Sequence, residues 1–224
     1  MCGIAGIYQL NQEKVKWSEL RRFTDTMYHR GPDGGGYELL HEDRIGFGHR
    51  RLSILDLSEQ GKQPMYFKNK YCITYNGEVY NFLEIKKELL TKGHSFKTET
   101  DTEIILAAYQ TWGKDAFSKF NGMWAFAIWD IEEKKLLLCR DRFGVKPLHF
   151  IYIPEKVFAF ASETVAFADL DGFAKEPDEQ ALLFSMQNLS ALEPSGNTIY
   201  KHIKQLLPGH FMEVDPKTGI KSTR

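Results

Sequence analysis

Apolar and polar side chains alternate in short segments along this chain, and most segments carry the period-two pattern of strands. Ile4–Leu10 reads as a strand close behind the N-terminus. Ser18 to His29 instead places Leu20, Phe23 and Met27 at helical spacing, with Ser18 as the cap. Two short strands follow at Tyr37–His41 and Ile45–Gly48. Tyr71–Tyr75 is another, and period two puts Cys72, Thr74 and Asn76 on one face of it. Phe82, Ile85 and Leu89, spaced by three and four, predict a helix next. A second helix runs through Ile104, Ile105, Ala108 and Trp112, opened by a Thr100–Glu103 capping box.

Met123–Ile131 is apolar on both faces and so must be covered on both sides. Lys135–Arg140 is its partner across a turn, and Leu148–Ile153 pairs with Val157–Ala161 around Pro154-Glu155. Short helices are expected at Thr164–Leu170 and Asp178–Asn188, and a last strand at Phe211–Asp215. Repeats, low-complexity tracts and long linkers are absent, which predicts one domain. Doubly apolar strands and few helices point to an α+β protein with two stacked sheets flanked by helices.

Composition narrows the function classes. With 224 residues the chain can bury a substantial core. Its net charge of −1 leaves no basic excess for nucleic acid or an acidic membrane surface. No apolar run reaches the roughly 18 residues of a membrane span, and the N-terminus lacks the basic and apolar regions of a secretory signal. Three widely spaced cysteines, Cys2, Cys72 and Cys139, suit neither a zinc site nor a disulfide framework. Cys72 and Cys139 lie in apolar strands as core thiols, and a reducing, cytoplasmic setting follows.

Cys2 differs from those two. If Met1 is removed, Cys2 carries a thiol and a free α-amino group on one residue, a nucleophile beside a weak base. Arg30 to Gly36 is a dense turn cluster that lacks the ending of a phosphate-binding P-loop. Arg50 and Arg51 precede an apolar segment; one is a surface residue and the other a candidate anion ligand. Asn76-Gly77 is a turn signal at a strand end, where an amide side chain and a backbone N–H can both point into a cleft. Asp101 sits in the first turn of its helix, either compensating the helix dipole or binding a ligand. In the charged loop Arg140 to Pro147, Arg–Asp pairing is expected to fix the shape.

Six segments in order carry a resemblance: Cys2-Gly3-Ile4-Ala5-Gly6, Arg30-Gly31-Pro32-Asp33-Gly34, Arg51-Leu52-Ser53-Ile54, Tyr75 to Asn81, Asp101-Thr102-Glu103, and Arg140 to Leu148. Together they resemble the N-terminal glutaminase domain of glutamine-hydrolysing asparagine synthetase. That is a class II glutamine amidotransferase of the N-terminal-nucleophile (Ntn) hydrolase group. The resemblance covers residues 2 to about 215, with 216–224 as the start of a linker. It implies an αββα four-layer sandwich of two mostly antiparallel sheets.

The resemblance also implies roles. Cys2, freed of Met1, would attack the side-chain amide of L-glutamine, and its α-amino group would pass the proton to departing ammonia. Asn76 and the Gly77 N–H would stabilise the oxyanion. Arg51 would hold the substrate carboxylate, Glu78 and Asp101 its ammonium, and main-chain groups of Leu52, Ser53, Ile54 and Leu55 would line the pocket. No cofactor is implied for this chain. ATP and magnesium would belong to a C-terminal synthetase domain, whose SGGxDS-type loop the sequence lacks. That domain and a second copy of the chain are the expected protein partners. Glutaminase halves of related amide ligases or β-lactam-forming enzymes, and a glutamine-binding regulatory module without turnover, are the alternatives.

Overall fold

The computed structural model describes residues 1–52, 61–187, 192–216 and 219–223. Two six-stranded sheets stack face to face. With strands numbered in chain order, the first sheet runs β10 (Lys204–Gln205), β8 (His149–Ile153), β9 (Val157–Ala161), β1 (Gly3–Gln9), β3 (Ile45–Arg51), β2 (Gly34–Leu40). The second runs β12 (Gly219–Thr223), β11 (Phe211–Asp215), β7 (Lys135–Arg140), β6 (Gly122–Asp130), β5 (Tyr71–Val79), β4 (Met65–Phe67). Pairing between these strands is antiparallel.

Strand periodicity sorts the core into three layers. Between the sheets lie Ile4 and Tyr8 of β1, Phe47 of β3, Cys72 of β5, Ala125, Ala127 and Trp129 of β6, and Phe158 and Phe160 of β9. The outer face of the first sheet packs Ala5 and Ile7 against Leu20, Phe23 and Met27 of helix α1 (Trp17–Asp25) or the residues just beyond it. The outer face of the second sheet packs Ile73, Phe126 and Ile128 against α2 (Phe82–Thr91) and α3 (Asp101–Trp112). The expected αββα sandwich is therefore present, and β6 is apolar on both faces because it is covered on both. A four-residue helix, α4 (Ala116–Lys119), follows α3, and α5 (Glu179–Gln187) has no buried residue.

Four local expectations are corrected. Gly34–Gly36 belong to β2 rather than to a turn, pairing with β3. Glycine is needed there for clearance, since a Cβ on Gly36 would lie 1.9 Å from the Gln63 carbonyl oxygen. Asn76-Gly77 is no turn either. β5 continues to Val79, with Asn76 opposite Ala125 and Gly77 opposite Trp124. A Cβ on Gly77 would stand 2.2 Å from the Met123 carbonyl oxygen, so this glycine serves a close approach of backbones. Helix α1 starts after Lys16 without a side-chain cap, so Ser18 does not cap it. The Thr100–Glu103 capping box is also not formed. The Glu103 carboxylate accepts from the backbone N–H groups of Lys97 and Thr98 and so ties down the preceding loop.

The second sheet runs on past residue 215. β12 pairs along β11 from Asp215 opposite Gly219 to Phe211 opposite Thr223.

Candidate active site

β1 begins one residue after Cys2, so the strand delivers the thiol to the end of the sandwich. The carbonyl of Cys2 accepts from Arg30 Nε at 2.9 Å, and Arg30 Nη1 is paired with Glu163 Oε1 at 2.7 Å. Burial works against ionisation of Glu163, yet Arg30 and His29 together hold its carboxyl below the ordinary value. Next along β1, the Ile4 N–H donates to Ser162 Oγ at 3.0 Å. Half-buried Cys2 Sγ faces Leu52, whose N–H approaches it at 3.4 Å and whose carbonyl lies 3.6 Å away.

A cavity of about 410 Å³ opens beside the thiol. Cys2, Arg51, Leu52, Asn76, Gly77, Glu78 and Asp101 all line it, so these expected site residues converge from β1, β3, β5 and α3. Ser53, Ile54 and Leu55 lie outside the described residues.

Strand geometry explains what β5 offers the cavity. β4 ends its ladder with Met65 opposite Ile73, so among the described residues the backbone of β5 beyond that point has no strand neighbour on that side. Side chains take over: the Tyr75 N–H donates to Gln63 Oε1 at 2.6 Å, and the Val79 N–H to Asp101 Oδ2 at 2.9 Å. Alternation places the Gly77 N–H on the same edge, between those two, in a residue that lines the cavity. Asn76, 1% exposed, has a buried Nδ2 without a hydrogen-bond partner among the described residues. An orphaned buried donor costs about 1–3 kcal/mol and calls for an acceptor in the cavity.

Asp101 Oδ2 also accepts from the Tyr75 hydroxyl at 2.7 Å. Burial pushes the Asp101 pKa up, with the nearby Glu78 charge adding to it, despite those hydrogen bonds. A cation bound at this end of the cavity would offset both causes. Arg51 ends β3 on the cavity side. Arg50 is not the expected surface residue. Alternation turns it to the opposite face, where it is buried, donates to the Gly31 carbonyl and Asp25, and stacks 4.6 Å over the Tyr28 ring.

Sequence reasoning missed His49, Gln63, Tyr75 and Lys146, which also line the cavity. His49 was legible as the residue two before Arg51 on the same strand face. Burial holds the His49 pKa down at about 4, aided by Arg51 and Arg50, against the upward pull of its bond to the Tyr75 carbonyl. The unfolded chain protonates this imidazole below its ordinary value of 6.5, whereas the folded chain resists until about 4. The resulting stability is present above pH 6.5 and is lost as pH falls from 6.5 to 4. Urea unfolding of the native chain at pH 7 and pH 4.5 is expected to differ by a few kcal/mol. The difference should shrink in His49→Gln.

Lys146 reaches the cavity wall from the loop after β7. The loop is fixed through side-chain-to-backbone bonds. The buried Asp141 carboxylate accepts from the N–H groups of Trp124, Phe143, Val145 and Lys146 at 3.0–3.2 Å. Arg140 donates to the carbonyls of Gly144, Lys146 and Leu206. Asp141→Ala would strand four backbone donors, so we expect a loss of about 3 kcal/mol or more in urea unfolding. Burial also lowers the Lys146 ammonium pKa, which Glu78 partly counters.

Comparison with known proteins shows the family of the chain. Residues 1–223 match the family model described as a glutamine amidotransferase domain. The chain is 39% identical over 228 residues to asparagine synthetase [glutamine-hydrolyzing] 1 of Bacillus subtilis, covering 98% of this chain and 34% of that protein. It is 37% identical to putative asparagine synthetase [glutamine-hydrolyzing] 2 of Methanocaldococcus jannaschii, covering 92% of this chain and 42% of that one. The chain thus spans well under half the length of these relatives. Among solved structures, glutamine phosphoribosylpyrophosphate amidotransferase from B. subtilis superposes over all of this chain and 49% of its own, at 19% identity and a TM-score of 0.73, which speaks for the fold. A half-buried thiol, a buried amide and an Arg/Glu/Asp set converge in one cavity, and the family match spans nearly every residue. This chain belongs to the glutamine amidotransferase domain family.

Proposed function

We propose that the chain hydrolyses L-glutamine to L-glutamate and ammonia through a γ-glutamyl thioester on Cys2, and that the ammonia serves an ATP-dependent asparagine synthetase domain outside this sequence. The observation that carries this reading is the buried Asn76 Nδ2, which has no partner among the described residues and sits in the cavity that Cys2 also lines. Loss of Met1 gives Cys2 a free α-amino group, which takes the thiol proton as sulfur attacks the amide carbon. The oxyanion that forms is held by Asn76 Nδ2 and the Gly77 N–H. Collapse of this intermediate expels ammonia, which leaves with the proton from the amine. Water then attacks the thioester, and glutamate departs as the thiol is restored.

Free glutamine is a zwitterion, and the cavity offers matching charges. Arg51 takes the α-carboxylate, Glu78 and Asp101 take the α-ammonium, and Leu52 borders the reacting end with Ser53, Ile54 and Leu55 following it in the chain. These steps call for no cofactor; ATP and magnesium belong to the acceptor chemistry. No helix among the described residues is long and apolar enough to cross a membrane, and Cys2, Cys72 and Cys139 are unpaired thiols, in keeping with work in the cytoplasm.

Incubating the purified chain with L-glutamine should release glutamate and ammonia in equal amounts. Intact mass should show the chain without Met1. Full turnover by a chain that retains Met1 would overturn the mechanism.

A further inference from the structure

The nucleophile and the oxyanion donors sit on different sheets: Cys2 leads into β1 of the first, while Asn76 and Gly77 belong to β5 of the second. Their separation therefore depends on what fixes one sheet against the other. Over most of the interface that is apolar packing by residues such as Ile4, Phe47, Cys72 and Ala125. Apolar contact is non-directional, so a hydrogen bond across the gap adds a directional restraint that burial alone does not supply.

Among the described residues, two hydrogen bonds cross the gap beside the cavity. Thr74 Oγ1 donates to the Gly48 carbonyl at 3.1 Å, and His49 Nε2 meets the Tyr75 carbonyl at 3.1 Å. They join consecutive residues of β3 to consecutive residues of β5, one bond in each direction. A carbonyl only accepts, so His49 Nε2 carries the proton. His49 is 1% exposed, and its strand is in register with β1, His49 standing opposite Ile4 and Arg50 opposite Gly3. On the other side, the Tyr75 carbonyl immediately precedes the Asn76 amide in the chain. It also lies beyond the end of β4, where no strand among the described residues pairs with it.

We propose that His49 is a positioning residue for the glutaminase reaction: it and Thr74 latch β3 to β5 and so hold the Asn76–Gly77 donors at the working distance from Cys2. His49 touches no reacting atom in this scheme. It acts through the Tyr75 carbonyl, and its effect falls on the transition state, where the oxyanion has to meet both donors.

The inference rests on the reading of the cavity as a glutamine site, and failure of the unmodified chain to hydrolyse glutamine would sink that reading first. Given activity, His49→Leu removes the donor, and His49→Gln restores an N–H near the position of Nε2. We expect His49→Leu to lower kcat by about 100-fold, with KM for glutamine within about threefold. His49→Gln should regain at least about tenfold of that loss. Alkylation of Cys2 by iodoacetamide, which uses neither oxyanion donor, should stay within about twofold in both variants. Equal losses in the Leu and Gln variants, or an alkylation rate falling in step with kcat, would overturn the proposal in favour of a purely structural histidine. If His49→Leu does not melt cooperatively, Thr74→Val against Thr74→Ser decides on the same split. An undiminished kcat in Thr74→Val would then overturn the latch.

Discussion

Cys2→Ala is expected to abolish glutamine hydrolysis, leaving less than about one part in 10⁴ of the native rate, as when the nucleophile of a covalent mechanism is removed. No other thiol can stand in. Cys72 lies in the layer between the sheets and Cys139 on the helix side of the second sheet, both buried. Burial raises both thiol pKa values, that of Cys139 to about 12, so neither is a thiolate near neutral pH. A glutamine-mimicking electrophile should accordingly add once, at Cys2, and mass mapping of the adduct checks it. Calorimetry on Cys2→Ala should still detect glutamine binding, because Arg51, Glu78 and Asp101 remain. Measurable turnover in the alanine variant would remove the thioester from the mechanism.

Asn76→Ala should lower kcat by about 10²–10³-fold, the usual effect of deleting one oxyanion donor, while KM changes little. Its stability should move the other way from most buried substitutions. Asn76 Nδ2 is buried with no hydrogen-bond partner among the described residues, so its removal takes away a buried unsatisfied donor. We expect the thermal midpoint to be unchanged or higher, which separates a catalytic defect from a folding defect in one melting curve. Asn76→Asp would replace the donor with a charged acceptor and should be at least as inactive. A loss expressed mainly in KM would place Asn76 in substrate binding instead.

Much of this architecture could be read from side-chain pattern, because the sandwich imposes period two on nearly every strand. The doubly apolar β6 announced a strand covered on both sides, and Cys72, Thr74 and Asn76 do share the inner face. What misled was punctuation. Gly34–Gly36 and Asn76-Gly77 carry turn chemistry, yet both lie within strands, because glycine also permits another stretch of backbone to come close. Propensity reports what a residue allows; only tertiary contact decides which allowance is used. The same holds for the charges. Arg50 and Arg51 are indistinguishable by type, and strand alternation alone sends one to the cavity and the other to Asp25. His49 and Gln63 escaped notice because their partners are backbone atoms of a strand separated from them in sequence, which no local motif encodes.

The last strand bears on how this domain is handled in the laboratory. A fragment cut at residue 215 would lose β12 and leave Phe211–Asp215 as the rim of the second sheet. Its outward N–H and C=O groups would then offer a template for a second chain to add a strand. Such a fragment could keep its catalytic end intact and still self-associate, whereas one that keeps residues 219–223 retains the native edge.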